Sequence, residues 1–329
     1  MHILAELRYA RGMAAGHHMN INNIASLAIL LGSVGVLSLA ASGCGVKQIP
    51  AQLIEDANRV DGSVSIDDAT IIDATTVDAA LGAWSAPARV VPAAEAALSE
   101  DDASLSPDEL EMTFAIVVGA EKQLSRIKRA TTASAWGPVT SLNIQIAART
   151  DQTPRYAKDG LTLYFASNRN GTEDIFTMTR TTTASAWSAP TPLTEVNTAA
   201  RERWFAPCDG GRYLLISDRT TVDNLDVYEG TLGGGAPTRL ASFSSATNET
   251  GAFLSFNCKH AFFATTVGTT LGVMESFWIA NAWTTPTPVL EINTATFGEQ
   301  DPWLSNDGKR MMFVSNALGT NDVYMMTRM

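Results

Sequence analysis

Five times along the chain a two-residue turn signal interrupts apolar runs: Asp108-Glu109, Asp159-Gly160, Asp209-Gly210, Asn257-Cys258 and Asp307-Gly308. The spacings are 51, 50, 48 and 50 residues. After each turn an apolar segment returns, as in Leu163-Tyr164-Phe165-Ala166, Leu214-Leu215-Ile216-Ser217 and Met312-Phe313-Val314-Ser315. A third segment recurs as Asp174-Ile175-Phe176, Asp226-Val227-Tyr228 and Asp322-Val323-Tyr324. Trp136, Trp187 and Trp283, each with a proline two or three residues on, open a fourth. Asp and Gly tolerate the positive φ angles of a tight hairpin, so each unit reads as four short antiparallel strands. Four strands repeated about every 50 residues predict an all-β fold, a β-propeller of about five blades. An open or six-bladed ring with a degenerate unit is the alternative.

The termini bear on that count. The last unit stops at Met329 without its Trp-Pro strand, and a spare copy, Ala83-Trp84-Ser85-Ala86-Pro87, stands before the first unit. An N-terminal strand completing the C-terminal blade closes the ring and removes two unpaired edges. The propeller is expected over residues 83–329.

Composition excludes several classes. Net charge is −11, against the basic surface that nucleic-acid binding needs. Of four histidines only His260 lies beyond the N-terminal segment, which removes His-dependent triads and His-rich zinc sites. No CxxC pair and no GxSxG occurs.

Residues 1–43 read as a secretory signal. Arg8 and Arg11 precede an uncharged apolar run over residues 24–41, and small residues follow. A membrane-spanning anchor is the competing reading, since the run just reaches spanning length. Residues 44–82 hold seven acids and no aromatic residue, so they cannot bury enough apolar area to offset chain entropy. They read as a flexible acidic linker. Ala41-Ser42-Gly43-Cys44 resembles a bacterial lipobox, with Ala where that pattern usually has Leu. The resemblance implies lipid attachment at Cys44 and a cell-envelope location, outer membrane by analogy.

The string Lys158-Asp159-Gly160-Leu161-Thr162-Leu163-Tyr164-Phe165-Ala166-Ser167-Asn168-Arg169, followed by Asp174-Ile175-Phe176, resembles the WD40-like repeat called PD40. That repeat is shared by the TolB propeller and many bacterial envelope proteins. Ser305-Asn306-Asp307-Gly308-Lys309 and its sequel resemble it too. The resemblance implies a propeller in the periplasm or on the cell surface, often used to bind proteins, and the chain is expected to be a monomeric, non-catalytic scaffold for an envelope protein. Nothing in the chain matches the extra N-terminal domain of TolB.

Aligned on the turns, the inner strands begin with Glu100, Asp151, Glu249 and Glu299; in the third unit Arg201 takes the aligned place and Glu202 follows. Asp101, Asp102 and Asp301 lie close by. If these side chains converge, the ring of Glu100, Asp151, Glu202, Glu249, Glu299 and Asp301 suits a hard cation such as Ca2+, or a basic peptide. Otherwise they bond backbone amides at strand starts, and the chain needs no cofactor. A glycan-active propeller using channel carboxylates is the enzymatic alternative, but acid and base roles need unlike environments. Trp204 and Trp303 fall on inner strands and are candidate aromatic channel contacts, whereas the regular Trp84, Trp136, Trp187 and Trp283 suit packing between blades. Cys208 and Cys258 fall on equivalent hairpins, either bridged or as two buried thiols.

Overall fold

The computed structural model describes residues 83–90 and 99–329. It also gives one two-residue ladder, Ser38–Leu39 with Lys47–Gln48, in the first of two compact units, residues 1–67 and 68–329. The expected signal segment, Cys44 and the acidic linker otherwise lie outside the described residues. Among the described residues no helix is long and apolar enough to cross a membrane.

The second unit is built from five antiparallel sheets. Blade 1 comprises Glu100–Leu105, Glu111–Val118, Glu121–Lys128 and Thr140–Ser141, and blade 2 Asp151–Tyr156, Thr162–Ser167, Asp174–Thr179 and Thr191–Pro192. Blade 3 holds Glu202–Pro207, Arg212–Thr221, Asn224–Thr231 and Thr238–Arg239. Blade 4 holds Thr250–Leu254, His260–Val267 and Thr270–Ile279, whose outer edge pairs with both Ala282–Trp283 and Thr287–Pro288. Blade 5 is Glu299–Leu304, Arg310–Ser315 and Asp322–Thr327, completed by Ala88–Arg89 from the other end of the chain. The count is five blades.

The closing strand is fixed at several points. Tyr324 and Met325 pair with Arg89 and Ala88, and the Ser85 amide donates to the Thr327 carbonyl at 2.7 Å. Arg89 then bridges Asp322 of its own blade at 2.7 Å and Glu100 of blade 1 at 3.1 Å.

The core lies between blades. Both faces of each sheet are covered, so the second strands are almost wholly buried. Ala115 and Leu124 of blade 1 cluster with Leu163, Phe165 and Phe176 of blade 2. Ala166 and Ile175 of blade 2 cluster with Phe205, Tyr213 and Leu215 of blade 3. Further clusters join blades 3 and 4, and blades 4, 5 and 1. Each buried leucine, isoleucine or phenylalanine among them contributes about 1.5–3 kcal/mol by leaving water.

The tryptophans of the repeat precede the fourth strand by four residues rather than opening it. Each stacks beneath an arginine at the end of the third strand: Arg129 over Trp136, Arg180 over Trp187 and Arg328 over Trp84, at 4.3, 4.2 and 4.3 Å from the ring centroid. The same arginines donate from Nε to the turn carbonyls of Glu109, Gly160 and Gly308, at 2.8, 3.0 and 2.8 Å. One cation thus ties the hairpin, the third strand and the tryptophan of a blade together. Trp283 departs from the pattern: Trp278 packs edge-on against it, and Arg212 of blade 3 lies over both rings.

Cys208 and Cys258 are bridged, with Cα atoms 5.3 Å apart, stapling the hairpins of blades 3 and 4. The bridge closes a loop of 50 residues, for which chain entropy gives about 4 kcal/mol. Reduction, or joint Cys208→Ala and Cys258→Ala substitution, should lower the free energy of unfolding in urea by up to about that amount. Coincident curves with and without reductant would show that the bridge does not stabilise the fold.

Candidate functional site

The five inner strands share one layout, each beginning at an acid or, in blade 4, directly after one: Glu100, Asp151, Glu202, Glu249 and Glu299. Glu202, not Arg201, holds this place in blade 3. All five are buried, yet none belongs to a group of three metal-ligating side chains among the described residues. Each is spent locally. Glu202 accepts from the Thr198 amide and hydroxyl at 3.0 and 2.6 Å, Glu249 from those of Ser245 at 3.0 and 2.6 Å, and Glu299 from those of Thr294 at 3.1 and 2.9 Å. Asp151 pairs with Arg169 at 2.7 Å. Glu202, Glu249 and Glu299 thus pin the loops that link successive blades, whereas Asp151 ties down the second-to-third hairpin of its own blade. Burial raises the pKa of Glu202, Glu249 and Glu299, although those bonds pull the other way. Burial takes Glu100 up to about 7 against the pull of Arg89.

Two residues after each of these acids the strand carries a different feature. Asp102, Thr153, Trp204, Gly251 and Asp301 all have positive φ, at 56, 53, 44, 60 and 52°. A register shift follows in every blade, so each inner strand contains a bulge at the same place. For Thr and Trp this backbone costs on the order of 1–3 kcal/mol, and a bulge of this kind re-aims side chains. A Cβ on Gly251 would lie 2.6 Å from the Asp301 amide nitrogen, so only glycine fits there.

Three of these side chains meet. Trp204 Nε1 donates to Asp102 Oδ1 at 3.1 Å and Asp301 Oδ1 at 2.7 Å, joining blades 3, 1 and 5. Asp101 completes a buried group with Asp102 and Asp301, whose ligand oxygens lie within 4.8 Å of one another. Lys122, from the third strand of blade 1, brings its ammonium to Asp101 Oδ2 at 2.5 Å and Asp102 Oδ2 at 3.2 Å. Gln300 donates to Asp101 at 3.0 Å. Its counterpart arrangement in blades 2 and 3 is Glu173, held by Arg203 and Gln152. Burial, then mutual repulsion, raises the pKa of Asp101, against the opposing pull of Lys122. Asp301 is raised well above the usual carboxylate range by burial and by Asp102 and Asp101, against Arg155 and Lys122. Burial disfavours the Lys122 ammonium, but Asp102 and Asp101 outweigh it and hold the proton more firmly.

Arg155 is fully buried nearby. Its Nη1 donates to the Ala103 carbonyl at 2.9 Å, while Nε and Nη2 have no partner. It lines, with Trp303, Phe253 and Tyr156, a cavity of about 10 Å³, the least that holds one water molecule. Trp303 is buried against Phe253 in the core.

Of the sequence candidates, the structure brings Asp301 and Trp204 together and leaves Glu100, Asp151, Glu202, Glu249 and Glu299 with separate local partners. Lys122, Arg155, Thr153 and Gly251 are not singled out by the sequence reading. Lys122 stands where Glu173 stands in blade 2, one residue before the third-strand motif, but blade 1 lacks the Asp-Ile-Phe signature that marks the place.

The fold and site define a five-bladed propeller whose inner-strand bulges carry a linked cluster of charges. No protein-family model matches the chain, PD40 included, and no curated protein matches it significantly. Among solved structures it is similar to TolB from Acinetobacter baumannii, with 14% identity over 70% of this chain and 54% of that one, at a TM-score of 0.46. It therefore spans about half the length of that TolB chain. It is also similar to the α-L-arabinofuranosidase PaAbf62A from Podospora anserina, with 12% identity over 74% of this chain and 95% of that one, at 0.49. A thermostable family-43 glycoside hydrolase gives 8% identity, 70% and 89% coverage, and 0.49. At such identities the likeness concerns the fold alone.

The raised carboxyl of Glu100 gives a pH test. A carboxyl whose folded pKa exceeds its unfolded value of 4.5 binds its proton more tightly when folded, so stability from this group falls as pH rises from about 4.5 to about 7. At 1.36 kcal/mol per unit, the change is at most about 3 kcal/mol. Glu100→Gln should flatten this part of the urea-unfolding profile between pH 5 and 8; an unchanged slope would assign the titration elsewhere.

Proposed function

We propose that the propeller is a non-catalytic protein-binding scaffold, carried on an exported chain anchored by lipid at Cys44. What carries this reading is the state of the inner-strand acids. A glycosidase needs two carboxylates of unlike environment, about 5–9.5 Å apart and open to substrate. Here Asp101, Asp102 and Asp301 are buried, bonded to Trp204 or Lys122, and the cavity beside Arg155 holds no sugar ring.

Binding then falls to the surface. The inner-strand starts, the second-to-third hairpins and the loops between blades share one face, by the antiparallel order of each sheet. On that face lie Val117, Val118, Ile146, Val222, Leu290 and Leu318, the last three 82, 79 and 70% exposed. On the opposite face, Ile279 and the terminal Met329 are the other large exposed apolar residues among those described. The bias of exposed apolar side chains toward one face makes that face the candidate binding surface. The Cys208–Cys258 bridge suits an oxidising compartment and so supports export.

Val222→Asp, Leu290→Asp and Leu318→Asp together should abolish capture of a partner from envelope extract, while Ile279→Asp retains it. Hydrolysis of a polysaccharide panel, lost on Asp301→Asn, would replace the scaffold reading with the glycan-active one. Labelled fatty acid should enter the full chain and not its Cys44→Ser variant; incorporation into both would remove the anchor.

A further inference from the structure

Three carboxylates buried together need positive charge. Asp101, Asp102 and Asp301 place ligand oxygens within 4.8 Å of one another, a span that suits a Ca2+ ion with oxygens at about 2.3–2.6 Å. The indole of Trp204 occupies Oδ1 of both Asp102 and Asp301, and Gln300 occupies Oδ1 of Asp101. The three Oδ2 atoms remain. Two of them, on Asp101 and Asp102, receive the Lys122 ammonium at 2.5 and 3.2 Å. The third, Oδ2 of Asp301, has no partner although its residue is only 1% exposed. The cluster is thus built for a cation, and the position beside it is taken by a side chain of the chain itself.

We infer that Lys122 is the resident cation of this site: it excludes divalent metal from the native propeller, and its removal opens a Ca2+ site formed by Asp101, Asp102 and Asp301. The charge arithmetic favours this assignment. Asp101 and Asp102 already face two buried or half-buried cations, Lys122 and Arg155, so a divalent ion added beside them would leave an excess of positive charge, whereas one replacing the lysine would be matched, with Arg155, by the three carboxylates together. The tether is also the right length. Lys122 lies on the third strand of blade 1, paired with Val117, and its four-carbon stem carries the ammonium inward to the first strand.

The test compares the native chain with Lys122→Met and Lys122→Gln. Tb3+ serves as the probe, because the Trp204 indole bonded to two of the acids can sensitise its emission. The native protein should show no sensitised emission and the same melting temperature in EDTA and in millimolar Ca2+. Each variant should emit with Tb3+, lose that emission when Asp301→Asn is added, and melt on the order of 5 °C higher in Ca2+ than in EDTA. Tb3+ emission from the native chain that Asp301→Asn abolishes would overturn the proposal, since the lysine would then not exclude metal. So would variants that fold and take up neither ion. If neither variant folds even with Ca2+ present, the rescue that the inference requires is missing and it fails.

Discussion

Five sheets drawn around one axis bring their inner strands close together, and the backbone must yield where they meet. It does so by a bulge two residues after the acid that leads each inner strand, with positive φ in all five. The strain at Thr153 and Trp204 is held because the interfaces between blades are large and apolar, and they fix the sheets from both faces. In return the bulge lets Trp204 reach acids on two other blades. Gly251 is the space that makes the approach of Asp301 possible.

The electrostatics follow from that geometry. Acids placed at the start of each inner strand lie in a dry interface, where an unpaired charge is costly. The chain answers in two ways. At Glu202, Glu249 and Glu299 it returns loop amides and hydroxyls to the carboxylate, so each loop between blades is fastened to the strand it leads into. At Glu100 and Asp151 it uses arginine instead. The Glu100 pair matters most to the ring, because Arg89 belongs to the strand that closes it.

Much of this was legible in the sequence. Asp-Gly turns and short apolar runs repeat so regularly that blade number and the completing strand follow from counting, and Trp84 does lie beside the last strand, stacked under Arg328. The acids at the strand starts were also visible as a repeat. Their direction was not, because a carboxylate's partners here sit four or five residues upstream in loops, as Thr198, Ser245 and Thr294 do, and a turn-based alignment does not weigh them. The bulge was hidden for another reason. Asp102, Thr153, Trp204, Gly251 and Asp301 have no residue type in common, and while Gly and Asp tolerate left-handed backbone, Thr153 and Trp204 give no sign of it. The arginines above the tryptophans fall at a fixed place in three blades, yet charged residues near a strand end read as solvated until their stacking is seen.

The strand that completes blade 5 sits 235 positions before its partner, counting from Arg89 to Tyr324. Bringing ends so distant together costs about 5 kcal/mol of chain entropy, recovered only once the ladder and the Arg89 bridges form. A nascent chain therefore cannot seal the ring until the strand Asp322–Thr327 has been made. Any product cut short before that strand keeps an orphaned Ala88–Arg89 segment and a raw sheet edge open to pairing with other chains.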